Sequence, residues 1–121
     1  MRISEAEWVI MESVWAAPEP LTATDIAKRV PASRGWSLAT VKTMVSRLAG
    51  KGALKHEQDG RRYLYSAAVE RGATVRAESK RLVNRLFGGK LTPMIAHLAE
   101  DNALSEDDIA DIEALLKELK Q

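Results

Sequence analysis

The residues from Ser37 to Arg47 have types and a spacing suited to reading a nucleic acid. On a helix, Thr40, Thr43 and Arg47 fall at i, i+3 and i+7 and share one face, flanked by Ala39, Lys42 and Ser46. No acid occurs between Ser37 and His56. A DNA major groove admits a helix, and short hydroxyls and guanidinium groups match its base edges. Lys42 and Arg47 suit positioning contacts to phosphate, because roughly half to two-thirds of protein–DNA hydrogen bonds go to the backbone. Ser37, at the start of the same helix, would leave backbone amides free for a phosphate. Threonine is a mediocre helix former, so an exposed pair of them owes little to propensity.

A second cationic feature follows at Arg61 and Arg62, beside an Asp59-Gly60 dipeptide. Arginines at a hairpin tip can reach phosphate or enter a minor groove. Tyr63 and Tyr65, two residues apart on one strand face, read as packing groups, and Trp36 as a wedge that fixes where the third helix begins.

Catalytic chemistry finds little support. The chain has two histidines, His56 and His97, expected on different elements, and no cysteine. A metal or acid–base site needs convergent groups, and no ligand spacing occurs. The acids from Glu106 to Asp111 lack the central glycine and closing glutamate of a calcium loop. No cofactor, no metal and no enzymatic activity are expected.

Those side chains need elements to hold them. Ser4 and Glu7 form a capping box for a first helix with Trp8, Ile10, Met11, Val14 and Trp15 on its apolar face, ended by Pro18 and Pro20. Thr22 or Thr24 caps a short second helix that stops before Pro31. Ser37 caps the third, with Leu38, Val41, Val45 and Leu48 as its stripe, closed by Gly50 and Gly52. The period then changes: Leu54–Glu57 and Arg62–Tyr65 read as strands, and Asp-Gly predicts a type I′ turn with its tip near Asp59-Gly60. Three further helices are predicted. The first runs from about Val69 to Phe87 and ends at Gly88-Gly89. The next opens with Thr92 as N-cap and Pro93 as first residue. The last starts at Ser105, whose following acids complement the helix dipole.

Helix, helix, helix, hairpin describes a winged helix-turn-helix, so the fold class is mostly α with a small β-hairpin wing. The division expected is a winged-helix DNA-binding domain at 1–68 and a helical dimerisation domain at 69–121. The apolar set of the second part, Leu82, Leu86, Phe87, Ile95, Leu98, Ile109, Ile112, Leu116 and Leu119, exceeds what one short segment can bury in itself. A homodimer follows. Linking two weak DNA-binding units raises avidity by roughly 10²–10⁴, and two-fold protein symmetry predicts a pseudo-palindromic double-stranded DNA operator.

Charge agrees with this division. The net charge is only +1. From Lys28 to Arg62, however, nine bases meet two acids, and from Leu91 to Gln121 two bases meet eight acids. One part suits a polyanion and the other repels it. At 45% hydrophobic and 29% charged the composition is globular. No apolar run is long enough for a membrane span, the N-terminus does not read as a signal peptide, and cysteine is absent, which together predict a cytoplasmic protein. The rival reading is a winged-helix module that binds protein instead of DNA. Salt separates the two, because phosphate contacts weaken steeply as salt rises.

The segments SEAEWVIMESVW, GWSLATVKTMVSRLAGKGAL and GRRYLYSAAV, with the tail LFGGKLTPMIAHLAEDNALSEDDIADIEALLKEL, resemble the penicillinase-repressor (BlaI/MecI) family, which has copper-responsive relatives. The resemblance covers nearly the whole chain. It implies a winged-helix domain, a helical dimerisation domain, and repression of resistance or stress-response genes by occupying operators. It also implies that Thr40, Lys42, Thr43 and Arg47 face DNA. The sequence departs from the family in two places. Antibiotic-responsive members are cut at an Asn-Phe bond, and here His97-Leu98 stands in that place. Copper-responsive members carry paired cysteines near the C-terminus, and this chain has none. Neither inducing device is implied here, and the resemblance names no inducer or inactivating protease.

Overall fold

The computed structural model describes residues 1–121. The first three helices are α1 (Glu5–Trp15), α2 (Ala23–Arg29) and α3 (Leu38–Lys51), with a 3-10 turn at Ala32–Arg34 between the last two. The strands are β1 (Leu54–Asp59) and β2 (Arg62–Ala67), followed by α4 (Arg71–Phe87), α5 (Leu91–Glu100) and α6 (Glu106–Leu119). Six helices and a two-stranded antiparallel hairpin make the fold mostly α with a β-hairpin wing. No helix is long and apolar enough to cross a membrane.

The chain divides into two compact units, Met1–Thr74 and Val75–Gln121. In the first, α1, α2 and α3 pack on one another and the hairpin closes against α1 and α3. Local capping sets where these helices start. Ser4 with Glu7, and Thr22 with Asp25, form reciprocal boxes, so side chains satisfy N–H groups that have no helical partner. Ile10, Met11, Ile26, Val41, Val45 and Leu48 are fully buried where the helices meet. Trp8 and Trp15 stand edge to face at 5.5 Å and flank this core half-buried. The Trp15 indole N–H donates to the Val69 carbonyl at 3.0 Å and Arg71 pairs with Glu12 at 2.9 Å, so the first unit continues past the hairpin. Val69 therefore precedes α4 instead of opening it.

Gly52 turns the chain from α3 into the wing. Its φ of +84° caps the helix in the left-handed region, and the Ala53 N–H returns to the Leu48 carbonyl at 2.9 Å. The hairpin pairs Asp59 with Arg62, so the turn residues are Gly60 and Arg61, one position later than Asp59-Gly60. Only Gly60 takes a positive φ, +65°, which is the pattern of a type II′ turn, with glycine at the first central position. A short bridge adds a third run to this sheet: Leu21 and Tyr65 exchange backbone bonds of 2.9 and 2.7 Å.

The second unit has no fully buried residue in α4, α5 or α6. Ser105 and Asp108 cap α6 reciprocally. α5 begins at Leu91 with Lys90 as its N-cap, so Thr92 and Pro93 sit inside the first turn and are not its cap and first residue. Proline is tolerated there because first-turn N–H groups lack helical acceptors.

Candidate nucleic-acid interface

α3 has two contrasting faces. Val41, Met44, Val45 and Leu48 are buried, whereas Ala39, Thr40, Lys42, Thr43, Ser46 and Arg47 are exposed together. The predicted stripe is corrected at one end. Leu38 is 40% exposed, because the whole first turn from Ser37 to Thr40 stands clear of the core, and Met44 fills the inner face in its stead.

The N-terminus of this helix is capped without a carboxylate. Ser37 Oγ accepts from the Thr40 N–H at 3.1 Å, and the two hydroxyls lie 3.0 Å apart. The matching third position is Glu7 in α1, Asp25 in α2 and Asp108 in α6. An acid there would add a bond to the cap but would repel phosphate. Thr43 donates its hydroxyl to the Ala39 carbonyl at 3.0 Å. Its oxygen lone pairs and methyl group remain for a base edge, which suits an amine donor or a thymine methyl.

The cations differ in how far they are already committed. Lys42, Arg47 and Arg61 have no carboxylate within ion-pair distance. Lys51, by contrast, pairs with the buried Glu7 and donates to the Arg2 carbonyl. Arg62 makes two bonds to Asp59, 2.9 and 3.1 Å, on the exposed wing. Arg62 also helps hold the Asp25 carboxyl below its ordinary range, an effect due first to the Thr22 backbone N–H and then to its hydroxyl. The Arg34 guanidinium lies 5.5 Å over the half-buried Trp36 ring, just ahead of α3.

On the wing, His56 stands edge-on to Tyr63 at 4.9 Å and near Tyr65 at 5.9 Å. Tyr65 packs on the core and Tyr63 is half-exposed above it. His97 lies in α5 of the other unit. An open groove of about 370 Å³ runs between α3 and the wing, lined by Thr22, Thr24, Lys42, Arg61, Arg62 and Tyr63, with Ala23 and Tyr65 behind them. Sequence reasoning gathers Lys42, Arg61 and Arg62 but misses the threonines of α2, which come into place only through helix packing.

The expected dimerisation residues all fall on α4, α5 and α6. Leu82, Leu86, Leu98, Ile109, Leu116 and Leu119 are exposed, the last at 71%, and Phe87, Ile95 and Ile112 are half-buried. Leu91 and Leu115 are exposed beside them.

Residues 3–118 match the sequence model of the family described as "Penicillinase repressor". The penicillinase repressor of Bacillus licheniformis is 29% identical over 119 residues, 98% of this chain and 92% of the relative. The methicillin resistance regulatory protein MecI of Mammaliicoccus sciuri is 28% identical over 114 residues, 94% and 92% of the two chains. Among solved structures, monomeric Bacillus licheniformis BlaI in complex with the blaP half-operator superposes with a TM-score of 0.51 at 30% identity. That match covers 60% of this chain and 87% of the chain in that structure.

Proposed function

The chain belongs to the penicillinase-repressor family and is a DNA-binding transcriptional repressor, and from that premise we propose that it represses as a homodimer on a two-fold symmetric operator, without catalytic activity of its own. In this reading α3 enters the major groove. Thr40, Thr43 and Ser46 meet base edges, and Ser37, Lys42, Arg47, Arg61 and Arg62 hold the backbone. Arg62 contributes least of these, since Asp59 already shares its charge. The helices from α4 onward provide the dimer contact.

The observation that carries the reading is the acid-free outward face of α3, with Lys42 and Arg47 unpaired on it and Arg61 unpaired on the adjoining wing. A face kept for solvent alone has no reason to exclude carboxylates. A protein-docking face would centre on apolar burial, and apart from Leu38 and Ala39 this one is hydroxyl and cation.

Selection of duplexes from a random pool, followed by mobility shifts on the recovered sequence, tests the proposal. Wild type should lose affinity steeply with salt. Arg47→Ala with Arg61→Ala should weaken binding and flatten the log–log slope by about 0.9 for each phosphate contact removed. Unchanged binding in the double variant would discard this face.

A further inference from the structure

We propose that the groove between α3 and the wing seats one backbone phosphate of the bound DNA strand, gripped by Lys42, Arg61, Thr24 and Tyr63. The inference rests on the DNA-binding reading and extends it to residues of α2 and the wing strand that the recognition helix does not include.

Three elements converge here. Thr24 comes from the first turn of α2, Lys42 from the middle of α3, and Arg61 and Tyr63 from the wing tip and β2. The lining offers two cations without a carboxylate partner, four hydroxyls, of which those of Thr24 and Tyr63 serve the grip, and no acidic side chain. That is the donor set of a phosphodiester oxygen pair, since charge-assisted bonds from ammonium and guanidinium to phosphate are the strong ones. Arg62 also borders the groove, but its Nε and one terminal nitrogen are bonded to Asp59, which makes it a wall.

Shape favours a polymer. Thr24, Lys42, Arg61 and Tyr63 are all exposed, so the groove of about 370 Å³ is a channel open to solvent and not an enclosed cavity. A small free anion would be screened there and weakly held. A strand already anchored by α3 in the neighbouring groove presents its phosphate at high effective concentration. The placement also assigns Arg61 to the backbone and not to the minor groove, because it shares the channel with Lys42.

The test uses full-length protein and one duplex recovered from the random pool, with each phosphate in turn replaced by a neutral methylphosphonate. Wild type should lose about tenfold in affinity at one position per half-site, the scale of a charged hydrogen bond. Thr24→Val and Arg61→Gln should each weaken binding to the unmodified duplex, add no further loss at that position, and respond like wild type at every other. Thr24 caps no helix, so the exchange leaves folding intact. Variants that bind like wild type, or that lose the same factor at that position as wild type does, overturn the seat while the DNA reading stands. Recovery of no duplex from the pool would instead overturn the DNA reading. Inorganic phosphate, compared with chloride at equal ionic strength, should displace the duplex no better. Preferential displacement that Arg61→Gln abolishes would hand the groove to a free anion.

Discussion

The two units of this chain bury apolar surface to different degrees. Met1–Thr74 encloses a cluster of fully buried side chains, from Ile10 and Met11 to Leu48, and the outward face of its α3 is mostly polar. Val75–Gln121 buries no residue completely and leaves Leu86, Leu91, Leu115, Leu116 and Leu119 at least half exposed. The difference teaches where specificity and completion are separated. One unit is finished as a single copy, and the other leaves exposed the surface on which the proposed dimer contact would form. Its acids, Glu106, Asp107, Asp108, Asp111, Glu113 and Glu118, would make that surface a poor neighbour for phosphate.

The comparison breaks most visibly at Leu116, which is 50% exposed in the single chain. Leu116→Asp should cost a monomer little. If the surface is a dimer contact, the change should convert dimer to monomer in sedimentation and lower operator affinity by roughly 10²–10⁴, the avidity a linked second site provides. A tight dimer retained by the variant would move the contact elsewhere. Leu48→Ala makes the opposite cut. Leu48 is fully buried between α3 and its neighbours, so its loss should destabilise the first unit by about 2–5 kcal/mol. Denaturation followed by tryptophan fluorescence would report it, because the chain's tryptophans, Trp8, Trp15 and Trp36, all lie in that unit. Leu119→Ala should barely register in the same assay.

What could be read from residues alone follows the same division between local and non-local causes. The box at Ser4, the cap at Ser37 and the helix start at Ser105 are visible because a cap and the residues it serves lie within one turn of sequence. The outward face of α3 is visible because one helical period sorts Thr40, Thr43 and Arg47 from Val41, Val45 and Leu48. Three features were misread where one local signal allows two placements. Thr92-Pro93 fits several first-turn positions, Gly60 serves either a type I′ or a type II′ turn, and Leu38 continues the stripe past the end of the core. The Leu21–Tyr65 bridge and the meeting of Thr24 with Lys42 and Arg61 were out of reach, since both depend on how separate elements pack.

A pH-dependent effect tests how α3 is anchored. Glu7 is 4% exposed, pairs with Lys51 at the end of α3, and completes the capping box of α1. Its second oxygen, Oε2, has no hydrogen-bond partner. Burial pushes its pKa up, but the Lys51 bond and the Ser4 backbone and hydroxyl bonds together outweigh burial and hold it below its ordinary value of 4.5. A carboxylate whose folded pKa is depressed stabilises the fold above the unfolded pKa and loses that contribution as pH falls through the folded one. Stability of the first unit should therefore decline as pH drops below about 4.5. Glu7→Gln should already lack this contribution at neutral pH and show a flatter acid limb. Lys51→Met should be the harsher change, because it strands a buried charge whose other oxygen is already unpaired. Parallel acid limbs for wild type and Glu7→Gln would mean that the tie between α1 and α3 rests on apolar contact alone.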